Sequence, residues 1–430
     1  MAVFDRGLGG DGWATFAFLE SAVEDGDLAL ENNNHGVMNG LMTGPGGHLV
    51  MQYPPGVALL DLAPYLAGMA LDRVLPTRWL ASGVVVDPVG RVPRRVLFEV
   101  AAIVAARNLE VLAGLVAILV ALRRAGFEVR TAALSTTVVF IGGPLVFYSL
   151  VGASHAPTFA LAALLLLVLA RDQSERGARR VFLAGLIVGV ATLVRYSSAA
   201  LLPAVVLASW GRPHRRRWGA ALTGFAAPLT LLPLYWRLHY GQWSPLGYGG
   251  SLGPTLASPW NVLFSGHHGL FVFHPALAFA VTGLVLGVFA RVRAGSVSLY
   301  RIAAVWFVSV ALLHGWWSEW ANPGGYGQRF LVDSLPALAV GLAALLTVVR
   351  RRGVVVATLV GTLVFGYALF FAAVAGLARS REGAPWPQTL ADYRPLFANP
   401  PGGREMASGM LRASFLVRVL AGTATSSPAP

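Results

Sequence analysis

The sequence predicts an all-α, polytopic integral membrane protein with about ten transmembrane helices and a large first extracytoplasmic loop. Hydrophobic residues make up 56% of the 430 residues and charged residues only 12%, whereas a soluble domain carries about a quarter charged residues. Long apolar segments recur from residue 102 onward, and arginines collect in every second connection between them. Together these patterns indicate a chain that crosses a lipid bilayer many times.

The candidate spans are apolar segments that approach the roughly 20 residues needed to cross a bilayer as a helix. They are residues 102–122, 131–151, 155–170, 181–194, 197–210, 218–236, 270–290, 302–318, 330–349 and 354–377. Segments 181–194 and 197–210 are short and meet near Arg195. A tilted or re-entrant pair is therefore an alternative to two full spans there.

The arginine-rich connections fix the predicted topology, because cytoplasmic loops collect arginine. In chain order they hold Arg123/Arg124/Arg130, Arg171/Arg176/Arg179/Arg180, Arg212/Arg215/Arg216/Arg217, Arg291/Arg293/Arg301 and Arg350/Arg351/Arg352. Segment 102–122 then runs from outside to inside, which places residues 1–101 on the extracytoplasmic face. The same parity puts several polar residues on that outer face, namely Asp11, Glu24, Asp25, Asp27, His155, His239, His267, His268, Glu319 and Arg329.

Three regions follow from this topology. Residues 1–101 form the outer loop with interfacial helices, 102–378 the transmembrane domain, and 379–430 a short outer tail that is partly disordered. Segment 54–75 is predicted to lie on the outer leaflet, with Asp61 and Asp72 limiting its depth. A true span with 76–99 in the cytoplasm is the alternative. An outer loop at the very start also suggests that a preceding helix is missing, unless the N-terminal tail translocates unaided.

Composition excludes several kinds of chemistry. The chain has no cysteine, so disulfides, thiol nucleophiles and cysteine metal sites are ruled out. The net charge of +13 does not indicate nucleic-acid binding, because the arginines lie in short loops at helix ends. No metal-ligand pattern is evident. The acidic run 24–27 has the oxygen ligands for a divalent cation, but a solvated helix end explains it more simply, so no cofactor is indicated.

Several short stretches resemble bacterial GT-C glycosyltransferases, relatives of the protein O-mannosyltransferases and the aminoarabinose transferases. The first outer loop of that group is matched by residues 10–13 (GDGW), 24–28 (EDGDL) and 31–33 (ENN). Further stretches follow in the same order along the chain, at 52–56 (QYPPG), 154–159 (SHAPTF), 268–275 (HGLFVFHP) and 325–331 (GYGQRFL). The resemblance implies an integral enzyme that uses a polyprenyl-phosphate-linked sugar as donor.

The resemblance also implies a catalytic base at Asp11, since an acidic residue of the first outer loop acts on the acceptor in that group. Many relatives have a second acidic residue directly after it, where this chain has Gly12. Asp25 and Asp27 are therefore alternative carboxylates. From the residues alone, Asp11 between glycines is more simply explained as a turn residue.

Arg329 is the candidate for gripping the donor phosphate, because a guanidinium holds two phosphate oxygens at once. Its alternative is an arginine that merely reaches the membrane interface. His267 and His268 are candidates for hydrogen bonds to the phosphate or for proton transfer, although a solvated histidine pair is simpler. His155 and Arg195 are candidate binding residues because charge near membrane depth is usually paired or functional. Tyr326, with Trp316, Trp317 and Trp320, forms either an aromatic belt or a sugar-stacking platform.

The predicted function is transfer of a sugar from a polyprenyl-phosphate donor to a glycan, lipid or protein acceptor at the outer face of the plasma membrane. A transporter or lipid flippase is the first alternative. Transporters place buried charges at mid-membrane, whereas here Glu110 and Asp333 lie near outer helix ends. A non-catalytic assembly subunit is the second alternative, which Gly12 keeps open.

Overall fold

The computed structural model describes residues 8–35, 40–75, 85–86, 91–92, 96–148, 154–170, 177–210, 214–245, 258–289, 297–318, 320, 327–350 and most of 353–366. The predicted outer tail and most of segment 354–377 lie outside the described residues, as do Glu319 and Tyr326. Helices dominate what is described, and the strands are two short hairpins. This agrees with the predicted all-α class.

The N-terminal region is more ordered than the predicted polar loop. It contains α1 (Gly9–Glu20), a π-helical turn (Ser21–Asp25), the hairpin of β1 (Leu41–Thr43) and β2 (Leu49–Met51), and α2 (Gly56–Val74). A second hairpin joins β3 (Val85–Val86) and β4 (Arg91–Val92). In α1, Trp13 and Phe16 are buried, and the ring of Phe16 packs edge-on against Tyr65 of α2. Composition did not predict this helix, because its apolar stretch, residues 13–19, is short and lies between glycines and acidic residues.

The helices of the bundle overlap the predicted segments, except that the helix at Ser258–Phe264 lies in none of them and segment 218–236 is divided between two helices. The bundle helices are α3 (Leu97–Arg124), α4 (Val129–Gly142), α5 (Leu145–Tyr148), α6 (His155–Leu169), α7 (Ala178–Val194), α8 (Leu202–Ala208), α9 (His214–Leu229), α10 (Leu231–Tyr240), α11 (Ser258–Phe264), α12 (Leu270–Phe273), α13 (Ala276–Phe289), α14 (Val297–Gly315) and α15 (Leu335–Arg350). Short 3-10 helices precede α8 (Tyr196–Leu201) and α15 (Arg329–Ser334). The number of spans, about ten by the length criterion, stays a prediction.

Proline accounts for places where one predicted segment becomes two helices. Segment 131–151 breaks after Gly142, just before Pro144, and segment 270–290 breaks at Pro275 between α12 and α13. Proline lacks the N–H that a helix needs and disfavours helical backbone in the preceding residue. Apolar length alone predicts one segment in each of these places, because it takes no account of proline.

Among the described residues, three helical stretches are long and apolar enough to cross a membrane, namely Leu97–Arg124, Ser298–Gly315 and Arg329–Arg350. Four shorter apolar helices accompany them, at Val129–Gly142, His155–Leu169, Tyr196–Ala208 and Ala276–Phe289. These segments indicate a helical membrane protein. Helix α2 is not among them, which fits the prediction of an interfacial helix but does not test it.

Glycine allows two pairs of helices to cross at backbone contact. A Cβ on Gly283 of α13 would collide with the carbonyl of Gly341 in α15, and one on Gly341 would collide with Ala280. Helices α7 and α9 meet in the same way at Gly185 and Gly224. Small residues of this kind are the usual means of close helix packing in lipid.

One expectation about α2 is wrong. Asp61 was expected to limit the depth of the helix at the membrane surface, but it is 3% exposed and forms an ion pair with Arg107 of α3. Arg107 also binds Glu110 at 2.6 Å. The opposite side of α2 is exposed and apolar, with Leu59, Leu62 and Leu66. The helix therefore turns its charge inward and its leucines outward.

Candidate functional site

A cationic cluster occupies one end of the bundle, where several helices begin or end. Arg195 follows α7, His155 begins α6, and Arg329 begins the 3-10 helix before α15. Arg195 Nη1 donates to His155 Nδ1 at 3.4 Å. The guanidinium groups of Arg195 and Arg329 lie 5.0 and 5.3 Å from the centre of the Phe330 ring. Thus the structure brings together three of the residues proposed from the sequence.

His314, near the end of α14, belongs to the same cluster. Its ring stacks on Phe330 with centroids 5.2 Å apart, and it is 2% exposed. His155 also lies near Arg329 and His314. Tyr148 closes one side, 4.7 Å from the His155 ring and 5.9 Å from the Arg329 guanidinium. Positive and hydrogen-bonding groups are thereby concentrated around one aromatic ring.

Asp333 brings a carboxylate to the cluster. Ser198 Oγ donates to Asp333 Oδ2 at 3.3 Å, and the charge of Arg195 acts on Asp333. The indole N–H of Trp306 donates to the Asp333 carbonyl at 3.0 Å, which holds this stretch of backbone against α14. One carboxylate faces two arginines here, so the cluster retains net positive charge.

Three buried polar atoms of this cluster have no hydrogen-bond partner within the described part of the chain. They are Arg329 Nε, His314 Nε2 and Asp333 Oδ1. Buried polar groups are almost always hydrogen-bonded, and each exception calls for an explanation such as a ligand or an ion. Two of these atoms belong to side chains that pack on Phe330, namely Arg329 and His314, and they indicate a place for a polar ligand.

His268 contacts the backbone just before Arg329. It adopts left-handed backbone, with φ of 64°, and is 1% exposed. Its Nδ1 lies 3.3 Å from the carbonyl of Gly327, two residues before Arg329. His267 is half-buried and stands edge-on to His268. The histidine pair was proposed as a phosphate ligand, and the structure places His268 on protein backbone.

Asp11 lies in the first turn of α1 and its carboxylate is oriented by a tyrosine. The hydroxyl of Tyr53 donates to Asp11 Oδ1 at 2.8 Å, and Gln52 Nε2 donates to that hydroxyl oxygen at 3.0 Å. Asp11 is partly exposed. The backbone there is helical, so the alternative of a turn residue between glycines is not what the structure has.

Helix α10 connects the Asp11 region to the cationic cluster. The hydroxyl of Tyr235 donates to the Tyr53 carbonyl at 2.9 Å, and the indole of Trp236 donates to the Tyr196 hydroxyl at 3.0 Å. Tyr196 directly follows Arg195 in the chain. The start of α2 also meets the end of α7, since a Cβ on Gly56 would strike the backbone of Leu193. The Asp11 region and the cationic cluster therefore lie toward the same end of α7.

His239 helps to fix the strand that precedes Tyr53. The N–H of Met51 donates to His239 Nε2 at 2.8 Å, and the Tyr240 hydroxyl donates to the Met51 carbonyl at 2.7 Å. The sequence placed His239 on the outer face without a role. Its hydrogen bond is with protein backbone, and its ring packs against Phe18 and Tyr235.

The alternative carboxylates have local structural partners. Asp27 accepts the N–H of Ala29 at 3.0 Å and the Ser21 hydroxyl at 2.8 Å, and these bonds lower the pKa of its carboxyl. Asp25 accepts a bond from Asn32 at 3.1 Å. Both side chains close the end of the π-helical turn. Among the described residues no group of three or more histidines and acids is arranged to hold a metal ion.

Sequence reasoning missed His314, Tyr53 and Ser198. His314 was within reach, because the same parity that placed Arg329 outside places the end of segment 302–318 outside as well. Tyr53 lies in the stretch 52–56, yet nothing in the neighbouring sequence indicates that its hydroxyl bonds to Asp11, 42 residues earlier. Tyr326, the proposed sugar platform, lies outside the described residues.

No protein-family model matches the sequence, and no curated protein matches it significantly. Solved structures do. ArnT from Cupriavidus metallidurans bound to undecaprenyl phosphate is 14% identical, with a TM-score of 0.45, over 98% of this chain and 74% of that one. The oligosaccharyltransferase AglB from Archaeoglobus fulgidus, in complex with an inhibitory peptide and a dolichol phosphate, is 13% identical, with a TM-score of 0.49, over 96% of this chain and 60% of that one.

ArnT and AglB are members of the GT-C superfamily. That is the group the sequence motifs resemble, and the resemblance stays a prediction. At these identities and TM-scores the likeness gives no substrate and no residue role to this chain.

Proposed function

We propose that this protein is an integral membrane glycosyltransferase that moves a sugar from a polyprenyl-phosphate donor to an acceptor on the extracytoplasmic face. Asp11 is the general base, and Arg195 and Arg329 hold the phosphate of the donor. The observation that carries the proposal is the cationic cluster around Phe330, in which two buried nitrogen atoms, Arg329 Nε and His314 Nε2, have no hydrogen-bond partner among the described residues. A phosphate group supplies the negative charge and the acceptor oxygens that such a cluster needs.

The position of the cluster suits a lipid-linked phosphate. Arg329 stands at the start of an apolar stretch, Arg329–Arg350, that is long enough to cross a membrane. A polyprenyl phosphate carries its charge at the membrane surface and its chain in the hydrocarbon. An arginine at the end of an apolar helix meets both parts of such a molecule, whereas a soluble sugar nucleotide needs no apolar neighbour.

Asp11 and the cationic cluster each carry out one part of the reaction. The acceptor hydroxyl oxygen forms a bond to the anomeric carbon of the sugar while its proton passes to Asp11. The bond between the anomeric carbon and the phosphate oxygen breaks, and its electron pair stays on the phosphate. Arg195 and Arg329 stabilise the charge that the phosphate gains, and such preorganised electrostatic stabilisation is usually the largest catalytic contribution.

Binding of undecaprenyl phosphate to the purified protein in lipid nanodiscs tests the phosphate site. We expect Arg329→Ala to weaken binding by at least about tenfold, because it removes a charge-assisted contact. Arg237→Ala is the matched control, since Arg237 is exposed and contacts its own helix end and Trp243. Equal affinity for all three proteins would contradict the phosphate site. Tight binding by a wild-type protein that transfers no sugar would favour a lipid transporter instead.

A further inference from the structure

We propose that Tyr53 is a positioning residue for the catalytic base: its hydroxyl holds one carboxylate oxygen of Asp11 so that the other oxygen faces the acceptor. This inference rests on the proposed function, because it assigns a task to a neighbour of the proposed base. The bond from the Tyr53 hydroxyl to Asp11 Oδ1 is 2.8 Å long, the usual length for an O–H donor to an oxygen acceptor. Within the described residues, Asp11 Oδ2 has no side-chain or backbone donor.

Gln52 sets the direction of this bond. Its amide nitrogen donates to the Tyr53 hydroxyl oxygen at 3.0 Å. A tyrosine hydroxyl has a single hydrogen, and an amide N–H pointing at its oxygen leaves that hydrogen for another acceptor. The acceptor is Asp11. The three side chains therefore form a directional series in which Gln52 donates to Tyr53 and Tyr53 donates to Asp11.

The backbone and ring of Tyr53 are held in place independently of Asp11. The Tyr53 carbonyl accepts the hydroxyl of Tyr235 at 2.9 Å. Gly40 has left-handed backbone, with φ of 80°, and lies so close to the Tyr53 ring that a Cβ there would collide with it. A side chain fixed in this way costs little entropy when it orients a second group. That is the arrangement expected of a residue that supports a catalytic carboxylate.

If Tyr53 positions the base, its loss should lower kcat and leave the donor KM nearly unchanged. Tyr53→Phe keeps the ring and removes the hydroxyl, with its bond to Asp11 and the bond that it accepts from Gln52. We expect kcat to fall about 10- to 100-fold, the equivalent of one hydrogen bond to a charged group. The KM for the lipid-linked donor should stay within about twofold, since the phosphate is held elsewhere. Tyr240→Phe is the matched control, because it removes a tyrosine hydroxyl bonded to the Met51 carbonyl and leaves Asp11 untouched.

Two further variants separate positioning from folding. In an Asp11→Asn background Tyr53→Phe should cause no further loss, because effects within one unit are not additive. Gln52→Glu should reproduce the kcat loss of Tyr53→Phe with the ring still present. A carboxylate cannot donate to the hydroxyl and attracts its hydrogen away from Asp11.

The outcomes distinguish this inference from the proposed function. A slow Asp11→Asn enzyme together with wild-type rates for Tyr53→Phe and Gln52→Glu would overturn the positioning role alone. A raised donor KM with unchanged kcat in Tyr53→Phe would overturn it too, and would make Tyr53 a donor contact. An Asp11→Asn enzyme as fast as the wild type would remove the base itself, and the proposed mechanism with it.

Discussion

Around Phe330, two arginines and a histidine share one aromatic ring. Cations attract the negative face of an aromatic ring, so Phe330 keeps Arg195 and Arg329 near each other although their charges repel. The repulsion is relieved when an anion binds between them. The cluster is thus arranged for a ligand with at least one negative charge, and its apolar surroundings strengthen every electrostatic contact.

Substitution of Arg329 by lysine distinguishes phosphate binding from a simple interfacial role. A guanidinium holds two phosphate oxygens in one plane, whereas an ammonium is a point charge. We expect Arg329→Lys to raise the donor KM measurably and Arg329→Ala nearly to abolish transfer, with acceptor KM largely unchanged. Steady-state kinetics at varied donor concentration provide the measurement. A fully active Arg329→Lys enzyme would show that any long cationic side chain is sufficient there.

Removal of the proposed base should affect chemistry and leave folding intact. Asp11→Asn is expected to lower turnover about 10²- to 10⁴-fold, the usual contribution of a general base. Asparagine still accepts the bond from Tyr53, so the melting temperature should stay close to that of the wild type. Asp27→Asn is the control, because Asp27 bonds only within its own turn region. Inactive Asp27→Asn with active Asp11→Asn would move the base to the acidic run.

At the level of elements, α2 is held to α3 by charge at its centre. Asp61 and Arg107 are both nearly inaccessible, and Glu110 completes the group from the same helix as Arg107. Charges buried in this way need each other, because each one alone would lack both water and a partner. The polar contact faces the protein and the leucines of α2 face outward, as suits a helix that lies against lipid.

Breaking this group should release α2. Asp61→Asn removes the ion pair that joins α2 to α3, while Arg107 keeps its pair with Glu110. Loss of the sole partner of a buried charge costs about 3–5 kcal/mol, and the remaining Glu110 lowers that cost. We expect a clear drop in the melting temperature in detergent. Asp72→Asn, on the same helix but only half-buried, should change it little. Equal stability of the two variants would mean that Asp61 and Arg107 contribute no more than a surface pair.

The elements show what the sequence can and cannot predict. Apolar length located most of the described bundle helices, and arginine parity placed His155 and Arg329 on the same face, because those signals are local and periodic. Asp61 was misjudged because its partner is 46 residues away, and a sequence gives no sign of which charge will be paired. Helix α1 escaped notice since its apolar stretch is short and lies among glycines.

For the whole molecule, the alternation of arginine-rich loops predicts which end of the bundle faces the cytoplasm. The chain has no cysteine, so single cysteines can report on each end without a background. Asn32 is exposed near the N-terminal acidic run, and Gly177 is exposed before α7 with open space for a side chain. An impermeant thiol reagent applied to intact cells should label Asn32→Cys and spare Gly177→Cys. Labelling of Gly177→Cys would invert the topology.

The proposed base and the proposed phosphate-binding cations belong to different parts of the chain. Asp11 and Tyr53 are held by α1, β2 and α10, whereas Arg195, His314 and Arg329 are held by the ends of bundle helices. Because different elements hold the two groups, we expect exchange of the first hundred residues between related enzymes to transfer the choice of acceptor and to leave the choice of lipid carrier unchanged.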